Sequence, residues 1–277
     1  MFRTTIIDVY PLWVVFLAST LLIALASEIG FLLGRRKLSS LAPGESSNVG
    51  GAVTATLGLL AFMLAFTFSA GTDKWDTKKQ LLLKESNALS TAFIRTELLP
   101  EPHRHNLQNL MSRYLDHYLD TIQQEMASDG TAIDSQMARQ VEEDFAIAKK
   151  FHGEMWHEAM LATQQQPTPL TGLFISALNE ALDIRGERMS VAIQQRMPMI
   201  VWIILGLLAC FAPGLAGYDL GVTRGARNLS GWVVALAFAS VVTLVVILDR
   251  PLTSVISHLP LIDLQGDIHK ALELEPY

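Results

Sequence analysis

Four stretches of the chain are made almost entirely of apolar residues. They cover residues 11–34, 51–69, 197–217 and 229–248. A helix needs about 20 apolar residues to cross a hydrocarbon layer about 30 Å thick. Each stretch meets that length, so the pattern predicts four transmembrane helices.

The first apolar stretch also fits a cleaved signal peptide, because Arg3 precedes it and Ala24-Leu25-Ala26 suits signal peptidase. The apolar run, however, resumes after Glu28 and stops at Arg35-Arg36-Lys37. A basic cluster at that point is typical of a stop-transfer segment. We therefore favour a retained transmembrane helix.

Residues 73–196, between the second and third apolar stretches, are polar enough to lie in water and show helical periodicity. Apolar positions recur at helical spacing up to about residue 99, over about 102–126 and 134–162, and from about 170 onward. The first segment continues the second transmembrane helix without a break. The last is predicted to run through Arg196-Met197-Pro198 into the third.

The predicted fold class is therefore all-α, a polytopic membrane protein. Residues 1–71 hold transmembrane helices 1 and 2, and residues 72–196 form a helical extramembrane domain. Residues 197–250 hold transmembrane helices 3 and 4, and 251–277 form a C-terminal tail. A basic-residue count over the short loops favours an outside domain, whereas the larger count near the membrane ends favours the cytoplasm. We expect the cytoplasmic side, in a bacterial inner membrane.

Composition and motifs limit the classes of function that the chain can have. Half of the residues are hydrophobic, mean hydropathy is +0.31 and the formal charge is −6. No basic tract suggests nucleic acid, and Cys210 is alone in an apolar stretch. No nucleophile–base pair, P-loop or dinucleotide fingerprint occurs, so neither an enzyme nor a cofactor is predicted. The expected partners are the lipid bilayer, small inorganic ions and further copies of the chain.

The second apolar stretch carries the main functional candidates. Gly58, Phe62 and Phe66 are spaced i, i+4 and i+8, so they share a helix face, with Ser69 close to it. One interpretation is ordinary packing against lipid or protein. The other is a narrow axial pore, in which copies of this helix surround a symmetry axis and the phenylalanines form a constriction that gates by dewetting.

Two further groups of charges have alternative interpretations. Lys74, Lys78 and Lys79 follow the pore candidate, and either form a basic vestibule that attracts anions or simply keep the helix soluble. Glu28 lies inside the first span, where an ionisable group is a functional candidate. We favour a carboxylate paired near the interface, although a pore carboxylate would suit a cation path.

The segment FHGEMWHEAM places Glu154 and His157 on one helix face, as in di-iron helical bundles. No second motif of that kind faces it, so we favour a surface cluster and predict no metal site. His103 is interpreted as part of a solvated helix start. Asp249 and Arg250, at the end of the fourth apolar stretch, are expected to anchor that helix at the lipid headgroups, with Pro251 ending it.

Several motifs resemble a known family. Phe66 precedes Lys74-Trp75 at the distance found in the second membrane helix of bestrophins. Leu98-Leu99-Pro100-Glu101, Leu178-Asn-Glu-Ala-Leu-Asp-Ile-Arg185 and Leu248-Asp249-Arg250-Pro251 are similar to segments of bacterial bestrophin-like membrane proteins. The resemblance to this bacterial group covers most of the chain, and the resemblance to bestrophin anion channels is specific mainly in the second helix.

The resemblance implies a pentameric ion channel that conducts anions such as chloride. Its apolar neck would be formed by Gly58, Phe62 and Phe66, with Ser69 on the pore lining. Gly58 departs from the bulky aliphatic residue usual in bestrophins, and Asp76 stands where a second tryptophan is usual. These departures leave a second hypothesis open, a non-conducting scaffold or sensor whose helical domain binds a partner.

Overall fold

A computed structural model describes residues 10–39, 49–127, 135–193, 196–223, 230–250 and 257–274. Within these residues the chain forms α-helices and no β-strand. The helices are α1 (Leu12–Leu38), α2 (Gly50–Arg95), α3 (His103–Ala127), α4 (Ser135–Gln165), α5 (Pro169–Ile193), α6 (Met199–Val222), α7 (Ser230–Asp249) and α8 (Leu259–Leu274). A 3-10 turn, Thr96–Leu98, follows α2.

Four of these helices, α1, α2, α6 and α7, are long and apolar enough to cross a membrane. They confirm the all-α fold with four predicted spans. The polar stretch between α2 and α6 is helical, as expected. Pro251, which is predicted to end the fourth membrane helix, lies outside the described residues.

The chain divides into two compact units. The membrane unit takes its described residues from Ile6–Trp75 and Arg196–Arg250, and the helical unit from Asp76–Gln195 and Pro251–Tyr277. α2 is continuous and contributes to both units. At 46 residues and about 1.5 Å of rise per residue, it is far longer than one membrane span requires.

Glycines bring α1 and α6 into close contact in the membrane unit. A Cβ atom added at Gly30 would overlap the carbonyl oxygen of Gly214, and one added at Gly217 would overlap that of Ser27. Small residues at such spacing let the backbones of membrane helices approach and gain dispersion contacts. This packing depends on the absence of side chains at these positions.

The inward side of α2 packs against α6 and α7. Leu60 and Leu64 are almost fully buried, and they form a cluster with Leu205 and Ala212 of α6. Phe238 of α7 packs against the same cluster. In contrast, large apolar side chains on α1, α6 and α7 remain exposed, which is expected of surfaces that face lipid.

The helical unit has one extended core, to which α8 contributes. Leu261 and Ile268 of α8 are buried, and the Ser86 hydroxyl donates a hydrogen bond to the Pro260 carbonyl oxygen at 2.8 Å. Gln265 also donates to Asp116 of α3. No helix was predicted here, because the segment is short and its apolar residues were interpreted as part of a tail.

One predicted connection is wrong. α5 ends at Ile193 and α6 begins at Met199, so Arg196, Met197 and Pro198 do not continue a helix. Proline disfavours the helical conformation in the residue that precedes it. The third membrane helix therefore starts anew, with Pro198 at its N-cap position.

The close α1–α6 contact predicts a specific sensitivity to added volume. Gly217→Ala should destabilise the protein by about 1–3 kcal/mol, because the new methyl group meets the α1 backbone, which cannot move without separating the helices. Gly206→Ala on the same helix is the matched control, because its Cβ would meet no atom within 4 Å. Thermal unfolding in detergent measures the stability of both variants. Equal midpoints for the two variants would contradict the packing described.

Candidate functional site

α2 has two opposite faces that repeat at alternating four- and three-residue intervals. This spacing keeps residues on one side of a helix over many turns. The inner face is buried or nearly so: Leu60, Leu64, Thr67, Gly71, Lys74, Lys78, Leu81, Glu85, Ala88 and Ala92. The outer face is exposed in the single chain: Phe62, Phe66, Ser69, Asp73, Asp76, Gln80, Leu83 and Asn87.

The predicted pore residues all lie on the exposed side of α2. Phe62 and Phe66 are 67% and 64% exposed, so neither ring is used for packing within the chain. Ser69 lies on the same face, and Gly58 lies one turn before Phe62 with no atom within 4 Å of the place where its Cβ would stand. The face is therefore available to another molecule.

The exposed side of α2 differs from the other exposed membrane surfaces. Around its phenylalanines stand small residues: Gly51, Ala52, Ala55, Gly58, Ala61, Ala65 and Ala70. By comparison, α1 and α6 expose mainly large side chains such as Leu21, Leu25, Ile200 and Ile203. Small residues favour close helix–helix approach, whereas lipid contact needs none. This composition is suited to contact with another protein helix.

The predicted basic vestibule needs correction at two of its three positions. Lys78 is 4% exposed and lies on the inner face, opposite Phe62. Lys74 is on the inner face too, with its Nζ 3.2 Å from Asp249 Oδ1. Only Lys79 is exposed. Isolated lysines in a polar sequence usually indicate a solvated surface, and here burial against partners overrides that expectation.

Asp249 is the centre of a buried charge cluster in the membrane unit. Besides Lys74, it accepts a hydrogen bond from Arg196 Nε at 3.2 Å and one from the backbone N–H of Met197 at 3.1 Å. Arg250 donates to the carbonyl oxygen of Tyr10. Asp249 and Arg250 are each 3% exposed. They bind within the chain, so the prediction that they anchor α7 at the headgroups is wrong.

Glu28 lies on α1, half-buried, and makes an interaction there. It is not part of the α2 face, so the structure does not bring it together with the phenylalanines. The predicted pore face and the acidic residue of the first span are separate features of the membrane unit.

A second buried charge cluster, missed in the sequence, lies in the helical unit. Glu85 of α2 is fully buried between two arginines of α5, with Arg185 at 3.3 Å and Arg188 at 2.5 Å. The Arg185 guanidinium stacks over the Tyr118 ring of α3 at 4.1 Å. Removing one member of such a cluster leaves an uncompensated buried charge. The cluster thus joins α2, α3 and α5.

Aromatic and imidazole groups surround this cluster. The Tyr114 ring lies 5.4 Å from the His152 ring. Burial raises the pKa of Tyr114 and lowers the pKa of His152 to about 4. The Arg185 charge lowers the pKa of His152 further, while Glu85 acts in the opposite direction. His258, just before α8, also has its pKa lowered by burial and by Arg188. Both histidines are neutral near pH 7.

The segment FHGEMWHEAM does not form a metal site in the described residues. Glu158 binds His103 Nδ1 at 2.7 Å and accepts from Asn106 at 2.8 Å. His103 is therefore part of a partly buried contact between α3 and α4 rather than a solvated helix start. His152 points towards Tyr114 in the core, so it departs from the predicted surface cluster.

These features define a multi-pass helical membrane protein with a helical unit inserted between its second and third spans. A profile of the bestrophin-like domain matches residues 21–257. The chain belongs to the bestrophin-like family, whose members are ion channels.

Solved structures have the same fold. A bacterial bestrophin homologue from Klebsiella pneumoniae is 18% identical, with a TM-score of 0.63 over 92% of this chain and 96% of that one. A point variant of that homologue gives 17% identity and a TM-score of 0.62 over 93% and 97%. The structure of a membrane protein variant is 16% identical, with a TM-score of 0.64 over 95% of this chain and 99% of that one. A comparison with curated proteins gives no significant match.

The buried ion pairs predict that neutralising Glu85 greatly lowers the stability of the protein. Glu85→Gln should destabilise the protein by about 3–5 kcal/mol, because Arg185 and Arg188 stay buried without a counter-charge. Glu180→Gln is the matched control, since Glu180 is exposed on α5. Thermal unfolding in detergent compares the two variants. A Glu85→Gln midpoint equal to that of the control would show that the cluster carries no stability.

His152 predicts a pH dependence of stability. Its folded-state pKa is about 4, against an ordinary value of 6.5. Between these values the unfolded chain binds a proton that the folded chain does not, so the free energy of unfolding falls as pH drops from 6.5 to 4. The His152→Phe variant lacks this contribution. Between pH 6.5 and pH 4 it should therefore lose less stability than wild type does. Unfolding midpoints of both proteins, measured across this pH interval, test the prediction. Parallel curves of midpoint against pH for the two proteins would contradict it.

Proposed function

We propose that the chain forms a homo-oligomeric ion channel, a pentamer, in which five copies of α2 surround the conduction axis. One observation carries the proposal: α2 exposes two phenylalanines among small residues, on the side opposite its own subunit's helices. The family and the fold are those of ion channels. Around a symmetry axis, the outer face is the surface that would line the opening.

Phe62 and Phe66 would then form two apolar rings, one helical turn apart, that act as the neck. A constriction of this kind stops ions when it loses its water and conducts when it wets. Gly58, without a side chain, would leave the opening wider one turn before Phe62. Ser69 would offer hydroxyl groups to permeating ions just after Phe66. No covalent chemistry is required of the protein.

The sign of the permeating ion is a separate question. The resemblance to bestrophins favours anions such as chloride. The chain itself gives this little support, because Lys74 and Lys78 are turned to the inner face and Lys74 is paired with Asp249. We place the protein in a bacterial inner membrane, with the helical unit in the cytoplasm.

The neck predicts a gain of conductance when its rings are removed. Phe62→Ala combined with Phe66→Ala should raise single-channel conductance severalfold in planar bilayers, because the dewetting barrier falls with side-chain bulk. Phe211→Ala is the matched control: Phe211 is 65% exposed on α6, outside the proposed axis. It should leave conductance unchanged.

Two outcomes would contradict the channel proposal. One is the absence of current from both wild type and the double variant. The other is a monomer or dimer in native mass spectrometry from detergent, because neither state encloses an axis lined by α2. Either outcome would favour the alternative of a non-conducting scaffold or sensor, in which the phenylalanines serve only as packing surface.

A further inference from the structure

The first turn of α8 is attached to the helical unit next to the buried Glu85 cluster. The Ser86 hydroxyl donates to the carbonyl oxygen of Pro260 at 2.8 Å, and Ser86 directly follows Glu85 on α2. Two backbone N–H groups in the first turn of α8 donate to the His258 carbonyl oxygen, at 3.0 and 3.2 Å. A displacement of His258 therefore displaces the start of α8.

The His258 side chain lies near charges of one predominant sign. Glu85 is fully buried between Arg185 and Arg188 of α5, so two guanidinium groups stand against one carboxylate. From α3, the Tyr118 hydroxyl accepts a hydrogen bond from Arg188. Burial and Arg188 lower the pKa of His258, and Glu85 opposes them. Within the described residues the buried His258 Nδ1 has no hydrogen-bond partner. A proton added here would be desolvated and close to a guanidinium.

The other titratable groups around α8 are arranged differently. Towards its far end, His269 Nε2 lies 3.0 Å from Asp116 Oδ1 of α3, in a partly exposed pair that protonation of His269 strengthens. From α4, His152 borders the same charge cluster as His258. The charged side chains of α8 itself are exposed: Asp263, Asp267, Lys270 and Glu273. A fall in pH therefore opposes docking at the His258 end of α8 and favours it at the His269 end.

We propose that α8 is a pH-sensitive strap, whose first turn stays docked on the helical unit while His258 is neutral and detaches when His258 is protonated. In the detached segment the imidazole meets water and binds a proton near its ordinary pKa of about 6.5, whereas the docked imidazole resists the proton. By linkage, docking weakens as the pH falls below that value. Such a strap responds to the pH of the compartment that holds the helical unit. The docking site is on the inner face of α2 and does not depend on whether the outer face lines a pore.

Hydrogen–deuterium exchange of the full-length protein in detergent tests the strap. Protection factors of residues 259–264, corrected for the intrinsic exchange rate, are compared at about pH 7.5 and about pH 5. One histidine changes the opening equilibrium by at most about tenfold per pH unit, so wild-type protection should fall severalfold. In His258→Gln, whose side chain binds no proton, protection should be nearly equal at the two pH values.

Two control variants separate His258 from the other histidines. His105→Gln removes an exposed histidine from α3 and should keep the wild-type response. His152→Phe should keep it too, because the first turn of α8 opens without unfolding α4.

Two results would overturn the proposed strap. One is a wild-type protection factor that is equal at the two pH values. The other is a fall of protection in His258→Gln as large as that in wild type. The first comparison uses wild type alone, so it decides the matter even if His258→Gln fails to fold. Neither result concerns ion conduction, which the bilayer recordings test separately.

Discussion

The structure depends on the neutralisation of charges that lie on the inner face of α2. Lys74 is paired with Asp249, and Glu85 is held between Arg185 and Arg188. Turning the helix by one residue would break these pairs and leave charges buried without partners, at a cost of several kcal/mol each. The pairs therefore fix which side of α2 faces inward. As a consequence, Phe62 and Phe66 face away from the chain's own helices.

This rotational setting links stability to function. The inner face binds the helices of each unit, with apolar packing around Leu60 and Leu64 and ion pairs further along. The outer face takes no part in this packing and ion pairing, yet it carries phenylalanines among small residues and then aspartates. A face composed for lipid would resemble those of α1 and α6, which expose large aliphatic residues. In our proposal the outer face is reserved for other copies of the chain and for ions.

The sequence predicted the helices well, because apolar stretches and helical periodicity are local signals. It was wrong about Lys74 and Lys78, whose burial depends on contacts that no local pattern contains. The alternating four- and three-residue spacing of Leu60, Leu64, Thr67 and Gly71 did offer a signal, since both lysines continue it. Glu85 and Arg185 are a hundred residues apart in sequence, so their pairing could not be inferred from one chain. α8 was missed because its residues were interpreted as part of a tail, although Leu261, Leu264 and Ile268 recur at helical spacing and are buried.

The central claim is that the outer face of α2 surrounds a symmetry axis. An electron-microscopy reconstruction of the protein in lipid nanodiscs, viewed along the membrane normal, tests it most directly. The account predicts a ring of five subunits with α2 innermost and the Phe62 and Phe66 side chains directed at the axis. A map in which those side chains point into lipid, or in which another helix lies closest to the axis, would contradict it.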